Sequence, residues 1–237
     1  MIAYGYFVVR NLSTALMYSF AQRSDTKVVD EPFYAVYLTR TSAAHPGRDE
    51  VLRYQPADED VVKRQISELQ HDKPVVFVKN MAHHMEALKE PFIKDALNVL
   101  LIRHPAQILA SYAQVMESPV MRDIGIEYQY QLFRKLSLNN GDPIVVDAGI
   151  LLSNPQAVLE TLCHRCAIGF SPSMLAWSPG PKPYDGVWAK YWYKNVHQSV
   201  GFAEQKTSHR ALPAHLYDLF TKANEYYEKL LPFSIKA

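Results

Sequence analysis

Five short apolar runs, separated by segments with helical spacing, constrain the fold of this chain more than any other feature. The runs have strand length and lie at residues 2–9, 27–29, 75–79, 97–103 and 144–147. In the separating segments 13–23 and 58–72, apolar side chains recur at the spacing of one helix face. Parallel strands need crossover connections, and helices then cover both faces of the sheet. We therefore predict a three-layer α/β/α domain with a mainly parallel central sheet.

Local signals predict where several helices begin. Pro105 suits the first turn of a helix that runs to about residue 116, and Asn154-Pro155 opens another helix. A further helix is predicted over about 124–139. Residues 33–57 are polar and show no clear period, so we predict irregular structure there.

The composition of the sequence changes after Trp177. The segment that follows is rich in proline, glycine and aromatic residues, and it contains one clear helical pattern, at about 211–230. No internal repeat or low-complexity segment is present. We predict a single domain over residues 1–237, in which about 178–237 form an irregular C-terminal cap.

Composition and charge exclude several classes of protein. The chain has 237 residues, of which 48% are hydrophobic, enough for a sizeable core. Its 25 Lys and Arg nearly balance 24 Asp and Glu, whereas dedicated nucleic-acid binders are usually strongly basic. No apolar run approaches the roughly 20 residues of a membrane helix, and the first residues lack the basic region of a signal peptide. We therefore expect a cytoplasmic protein that binds neither nucleic acid nor a membrane.

The two cysteines, Cys163 and Cys166, are too few for the disulfide framework of a small secreted protein. Their spacing is half of a zinc motif with no second half. They also do not open a helix directly after a strand, as a redox pair would. We predict that both pack in the core.

The residues that follow the first strand can bind an anion. Arg10 supplies a guanidinium, Asn11 and Leu12 lead into a helix start with free backbone N–H groups, and Ser13 and Thr14 add two hydroxyls. Ligands in open α/β sheets bind at the carboxyl ends of the strands, which is where these residues lie. The alternative is that Ser13 or Thr14 simply caps the helix.

A second candidate segment follows the fourth strand. Arg103 ends that strand, Pro105 begins a helix, and Ser111 lies eight residues beyond the arginine. A phosphate held by both Arg103 and Ser111 would cross the start of the helix instead of capping it. The alternative is a structural arginine and a serine on the helix surface.

Taken together and in this order, the two segments resemble the sulfotransferase family that uses 3′-phosphoadenosine-5′-phosphosulfate (PAPS), a branch of the P-loop nucleotide-binding fold. In that family the first strand ends in a Pro-Lys/Arg-Ser-Gly-Thr-Thr loop that binds the 5′-phosphosulfate, and a later Arg and Ser hold the 3′-phosphate. The resemblance implies that residues 10–14 bind phosphosulfate and that Arg103 and Ser111 bind the 3′-phosphate. Glu31-Pro32-Phe33, Lys79 and the segment LLSNPQAVLETLC support it, and the nearest members are compact bacterial sulfotransferase-like proteins.

This sequence departs from the family pattern in the first loop. Val9 and Leu12 replace the proline and the glycine, and glycine is the residue that most readily adopts positive φ. Phosphosulfate binding therefore depends on whether the loop needs that conformation here. No G-x-x-x-x-G-K-[ST] motif is present, which argues against nucleoside triphosphate hydrolysis.

Sulfuryl transfer in line needs positioning, cations and removal of the acceptor proton. Arg10 and Lys79 are the candidate cations. The candidate bases are Glu31, His83 and His84, each just past a predicted strand, and the resemblance offers both a glutamate after the second strand and a histidine after the third. We leave the choice of base open. Adjacent histidines can equally be one packed and one exposed side chain.

The C-terminal cap adds candidates by position alone. Lys190 and Lys194 would take the place of the family's basic loop at the 3′-phosphate. Four nearby aromatic side chains form either a wall over adenine or acceptor, or a buried cluster: Trp188, Tyr191, Trp192 and Tyr193.

Three functional hypotheses follow. The first is an enzyme that transfers a sulfuryl group from PAPS to a hydroxyl or amine of a small-molecule acceptor, without a metal. The second is a non-catalytic nucleotide-binding or anion-binding protein on the same fold, suggested by Val9 and Leu12. The third is a small-molecule kinase of the same fold class. Neither the identity of the acceptor nor the presence of a homo-oligomer can be predicted from the chain.

Overall fold

The computed structural model describes residues 1–7, 11–41, 43, 45–89, 96–114, 116–138, 143–203 and 211–236. Its centre is a five-stranded sheet in the order β2-β3-β1-β4-β5. All four strand pairings are parallel. The strands are β1 (Ile2–Phe7), β2 (Thr26–Asp30), β3 (Val75–Met81), β4 (Leu97–Ile102) and β5 (Ile144–Asp147). Each corresponds to one of the five apolar runs, so the predicted parallel sheet is confirmed.

Helices follow each strand in the described part of the chain. Those before β4 are α1 (Ser13–Ala21), α2 (Tyr34–Thr41), α3 (Arg48–Tyr54), α4 (Glu59–Glu68) and α5 (Ala82–Met85). Those between β4 and β5 are α6 (Pro105–Tyr112), α7 (Met121–Ile124) and α8 (Ile126–Leu138). After β5 come α9 (Ala148–Ser153), α10 (Pro155–Arg165), α11 (Ala189–Trp192), α12 (Lys194–His197) and α13 (Tyr217–Leu230). Short 3₁₀ turns lie at Leu69–His71, Pro172–Leu175, Ala214–Leu216 and Leu231–Phe233.

Helices cover both faces of the sheet. Successive side chains of a strand point to opposite faces, so neighbouring residues of β3 report which helices pack on each face. On β3, Val76 and Val78 pack in a core cluster with α4, α6, α8 and α13. Phe77 packs in the other core cluster, with α1 and α10. The predicted three-layer α/β/α architecture is therefore confirmed.

The connections after β1 and β3 leave the sheet toward opposite faces. Leu16 and Phe20 place α1 in the Phe77 cluster, whereas Met85 places α5 in the Val76 cluster. Since Phe7 and Met81 are partners at the ends of these two neighbouring strands, the crossovers diverge at that point. We call this place the β1/β3 crevice. In open α/β sheets, ligands bind at such a divergence.

Several predicted helix starts are confirmed. Pro105 is the first residue of α6, and the Asn154 side chain caps α10 by accepting a hydrogen bond from the backbone N–H of Ala157. The helix predicted over about 124–139 is confirmed as α8, which begins at Ile126 because Gly125 adopts a left-handed φ of 76° and ends the preceding α7. The helix predicted to begin near residue 211 begins at Tyr217.

The prediction of irregular structure over residues 33–57 is wrong. This segment contains α2 and α3. Residues 34–38 of α2 are buried one after another, and Tyr34, Tyr37 and Leu38 pack with Trp188 of the C-terminal cap. Five consecutive buried residues span more than one helical turn, so the first part of α2 has no polar face to mark it as an amphipathic helix.

Both cysteines are free and buried in the core cluster on the Phe77 face, as predicted. Burial raises the pKa of the Cys166 thiol to about 12. A thiol that stays protonated is a poor nucleophile and a poor metal ligand. Their role is core packing.

Candidate active site

The start of α1 is tied to the neighbouring strand by Asn11. Its Nδ2 donates to the carbonyl of Leu101 on β4 at 2.7 Å, and its Oδ1 accepts from the backbone N–H of Leu12 at 2.6 Å. Ser13 and Thr14 are buried in the first turn of α1. The capping position is Leu12, and no side-chain cap is present among the described residues. The alternative in which Ser13 or Thr14 is the cap is therefore wrong.

The backbone at Leu12 does not need a glycine. Its φ is −81° and its ψ is 18°, which any residue adopts without left-handed strain. The Leu12 side chain is buried in the core cluster on the Phe77 face. The substitution of the family's glycine is therefore accommodated at this position. Val9 and Arg10 lie outside the described residues.

Arg103 and Ser111 lie at the start and near the end of α6. The Arg103 side chain is buried, and its Nε donates to Gln107 Oε1 at 3.0 Å. Burial lowers the pKa of Arg103, and the nearby carboxylate of Asp147 offsets part of that effect. Ser111 is partly exposed on the last turn of α6. Their shared role at a 3′-phosphate stays a prediction.

Lys79 is the centre of a buried ionic cluster at the ends of β2 and β3. Its ammonium donates to Asp30 Oδ1 at 3.0 Å, to Glu31 Oε1 at 2.5 Å and to Tyr193 Oη at 2.6 Å. We call these four residues the acid–lysine cluster. Burial alone would lower the pKa of Lys79, but the two carboxylates outweigh it and raise that pKa. All three ammonium protons are therefore bound by protein atoms.

Glu31 has an unusual backbone for a residue other than glycine. Its φ is 42°, in the left-handed region, and this conformation costs about 1–3 kcal/mol. Two hydrogen bonds fix it: the Glu31 N–H donates to the carbonyl of Lys79 at 2.8 Å, and Gln55 Nε2 donates to the Glu31 carbonyl at 3.0 Å. Such strain concentrates at functional sites. This backbone conformation directs the Glu31 carboxyl group toward Lys79.

The Glu31 carboxyl is buried, and this changes its acidity. Burial raises the pKa of Glu31 above its usual value and outweighs the lowering by Lys79, while the neighbouring Asp30 adds to the rise. A carboxylate with a raised pKa is a better proton acceptor than an ordinary one. The Oε2 atom lies 3.7 Å from Nδ1 of His84.

His84 is buried between two tyrosine rings. Its ring stacks on Tyr34 at a centroid distance of 4.4 Å and on Tyr37 at 4.6 Å. Burial holds the pKa of His84 well below its usual value, and burial lowers the pKa of the adjacent, partly exposed His83 to about 3. Both rings are neutral at pH 7 and are weak bases. The three predicted candidates thus lie together, and Glu31 has the acidity that suits a base.

A family model described as Sulfotransferase domain matches residues 1–231. The chain belongs to the sulfotransferase family. Its fold is that of the sulfotransferase domain from the Synechococcus PCC 7002 olefin synthase, with a TM-score of 0.58 at 16% identity over 96% of this chain and 94% of that one. The sulfotransferase domain from the curacin biosynthetic pathway gives a TM-score of 0.57 at 15% identity, over 99% and 98% of the two chains.

A curated relative of this chain carries a name from another enzyme class. It is "Branched-chain-amino-acid aminotransferase-like protein 1" of Arabidopsis thaliana, 37% identical over 222 residues and 93% of this chain. The chain spans 40% of the length of that relative. The name describes a longer protein.

The C-terminal cap covers the acid–lysine cluster. Tyr193 Oη donates to Asp30 Oδ2 at 2.8 Å and accepts from Trp188 Nε1 at 3.2 Å, and the Gly186 N–H donates to Asp30 Oδ2 at 3.1 Å. Trp188 and Tyr193 are buried, so for these two the buried-cluster alternative holds. Tyr191 and Trp192 are 42% and 43% exposed, so for these two the aromatic wall stays a prediction.

A second contact holds the cap to α1. The Asp185 carboxylate accepts hydrogen bonds from Tyr18 Oη at 2.7 Å and from the backbone N–H of Lys182 at 2.7 Å, and it lies 2.9 Å from His197 Nε2. Since Gly186 follows Asp185 directly, the cap is fixed to α1 and to Asp30 by consecutive residues.

The two predicted cap lysines lie at the surface. Lys190 forms an exposed ion pair with Glu50 of α3, at 2.7 Å. Lys194 is exposed at the start of α12. Among the described contacts, neither joins the acid–lysine cluster. Their role at a 3′-phosphate stays a prediction.

Sequence reasoning missed Asp30 and Asp185 as site residues and did not give Tyr193 a partner. Asp30 had a signal, because an acid at the last position of a buried strand must find a partner. Asp185 and Tyr193 had no signal in the sequence, because their partners are distant along the chain. Tyr18 lies 167 positions from Asp185, and the partners of Tyr193 lie 163 and 114 positions away.

Across the described ranges, no group of three or more His, Cys, Asp or Glu side chains is arranged to hold a metal ion. None of the helices in the described part of the chain has the length and apolar character that spanning a bilayer requires.

Proposed function

We propose that this sulfotransferase transfers a sulfuryl group from PAPS to a hydroxyl or amine of a small molecule, with Glu31 as the general base. The observation that carries the proposal is the buried Glu31 carboxyl with its raised pKa, fixed by Lys79 beside the β1/β3 crevice. Membership of the sulfotransferase family supplies the reaction class.

The nucleotide would bind along the starts of two helices. The uncapped first turn of α1, with Ser13 and Thr14, supplies N–H groups and hydroxyls for the 5′-phosphosulfate. Arg103 and Ser111 would take the 3′-phosphate, with Lys190 and Lys194 supplying further positive charge. Arg10 would contact the oxygen that bridges sulfur and phosphorus.

In the transfer step, the acceptor oxygen or nitrogen forms a bond to sulfur while the bond from sulfur to the bridging oxygen breaks. The acceptor proton passes to Glu31, and 3′-phosphoadenosine-5′-phosphate (PAP) leaves. Lys79 keeps the Glu31 side chain in place and supplies positive charge beside it. The neutral rings of His83 and His84 would border the acceptor.

The non-catalytic alternative rests on the altered first loop. The replacement of glycine by Leu12 supports this alternative less than the sequence suggested, because a φ of −81° at Leu12 requires no glycine. Val9 remains its sequence basis. Transfer of sulfate from PAPS to any acceptor would exclude it. The small-molecule kinase is not favoured by any contact in the described residues.

Calorimetric titration with PAP tests the nucleotide site. We expect binding by the wild type and at least a tenfold weaker affinity in Arg103→Ala, because a buried arginine that contacts a phosphate contributes a charge-assisted hydrogen bond. Lys135→Ala on α8 is the matched control, since it also removes one positive charge. No binding at millimolar PAP, or equal affinity in Arg103→Ala, would falsify the proposal.

A further inference from the structure

Asn80, next to Lys79 on β3, is buried, and within the described part of the chain neither of its side-chain polar atoms has a hydrogen-bond partner. Its exposure is 1%, and both Oδ1 and Nδ2 are unsatisfied among the described residues. Buried amide groups in native proteins are almost always bonded, because an unsatisfied one loses its contact with water and gains nothing. The side-chain amides of Asn11 and Asn98 do donate, to the carbonyls of Leu101 and Ala96. Asn80 is therefore an exception that requires an explanation.

The position of Asn80 supplies one. It is the penultimate residue of β3 and pairs with Tyr6 near the end of β1, so it borders the β1/β3 crevice. Its side chain lies on the face of Val76 and Val78, opposite that of Lys79. The crossovers diverge at this edge, and a bound ligand is the partner that such an edge provides.

We infer that Asn80 binds the sulfuryl group in the β1/β3 crevice, where its Nδ2 donates a hydrogen bond to a sulfuryl oxygen. This inference rests on the proposed function. The amide Nδ2 is a hydrogen-bond donor, and the sulfuryl oxygens are acceptors that must be held in place for in-line transfer. A neutral amide also avoids the repulsion that a carboxylate would exert on the sulfuryl oxygens.

The test compares the affinities of PAPS and PAP, which differ by the sulfuryl group alone. Calorimetry on the wild type without acceptor should show tighter binding of PAPS. Asn80→Leu keeps the side-chain size and removes both polar atoms, so the PAPS affinity should fall about tenfold or more while the PAP affinity stays within twofold. Asn80→Ala is the second variant. Ser19→Ala is the matched control, because Ser19 Oγ is also buried and unsatisfied but lies in the last turn of α1.

A second readout separates ligand binding from a structural role. Without nucleotide, Asn80→Leu should melt at a higher temperature than the wild type, because it removes an unsatisfied amide from an apolar surrounding. A lower melting temperature would mean that the amide serves the fold, and would overturn the inference.

The binding outcomes are also distinct. If the wild type binds neither nucleotide, the proposed function fails and this inference fails with it. If the wild type binds both and Asn80→Leu weakens both equally or neither, the inference alone is wrong. Loss of the PAPS preference in both Asn80 variants, with Ser19→Ala unchanged, supports it.

Discussion

Two regions of the molecule differ in how completely their polar groups are satisfied. In the acid–lysine cluster, at the ends of β2 and β3, all three ammonium protons of Lys79 are hydrogen-bonded to protein atoms. In the first turn of α1, by contrast, no side-chain cap is present among the described residues. The first region is complete without a ligand. The second has backbone N–H groups at a helix start, which favour an anion. Under the proposed function, this difference is a division of labour, in which the protein fixes the base in advance and the nucleotide completes the phosphate site.

Glu31→Gln should impair the acid–lysine cluster and leave nucleotide binding at the start of α1 unchanged. We expect kcat for sulfuryl transfer to fall by about 10²–10⁴, the usual contribution of a general base. The affinity for PAP should change by less than threefold, because the amide keeps the size of the carboxyl. Radiolabelled sulfate transfer and calorimetry measure the two quantities.

The matched control is Glu68→Gln, an exposed glutamate at the end of α4, before the amino end of β3. It should leave both quantities unchanged. A wild-type kcat in Glu31→Gln would move the base to another residue.

Lys79→Met should reduce stability by about 3–5 kcal/mol, because it leaves the buried carboxylates of Asp30 and Glu31 without their counter-charge. Urea denaturation at pH 7 measures the loss. Lys190→Met removes an exposed lysine from an ion pair with Glu50 and should cost nothing measurable. Equal effects of the two substitutions would contradict the difference in burial on which the comparison rests.

Tyr193→Phe tests the link between the cap and the cluster. Removal of the hydroxyl takes a partner from Lys79, Asp30 and Trp188 at once, and we expect a loss of about 1–3 kcal/mol. The same urea titration measures it. Tyr191→Phe, at an exposed tyrosine of α11 two residues earlier, is the control and should be neutral. If Tyr193→Phe is equally neutral, the cap is not held by this hydroxyl.

The pH dependence of kcat/KM sharpens the assignment of the base. Glu31 must be ionised to accept a proton, so activity should fall tenfold per pH unit as pH drops below its pKa. Since burial raises that pKa, the midpoint should lie above the usual 4.5. His83, with a pKa of about 3, should add no inflection near 6.5. An inflection near 6.5 that persists in Glu31→Gln would assign the base to a histidine.

Local chemistry made much of the fold predictable. The strands have apolar runs because both faces of the sheet are covered, and Pro105 and Asn154 mark helix starts by their own conformational and capping preferences. The helix α2 could not be predicted, because Tyr34 and its neighbours are buried on every side. Its burial depends on Trp188, more than 150 positions later.

The site was predictable only in part, for a related reason. Glu31, Lys79 and the two histidines follow strands, and the end of a parallel strand is a place that sequence reasoning can find. Whether Glu31 is ionised, strained or buried depends on Gln55 and on Tyr193, whose contacts are set by the tertiary fold. The departure at Leu12 could be judged only from its backbone angles.

The hydrogen bond between Tyr193 and Asp30 joins residues 163 positions apart, and this separation has a consequence for synthesis. A chain still on the ribosome carries β1 to β5 well before Tyr193 emerges. Until then, Asp30 lacks its bonds to Tyr193 and Gly186, and Lys79 has one ammonium proton without a protein partner. The cap therefore completes the site last, after the sheet that bears it.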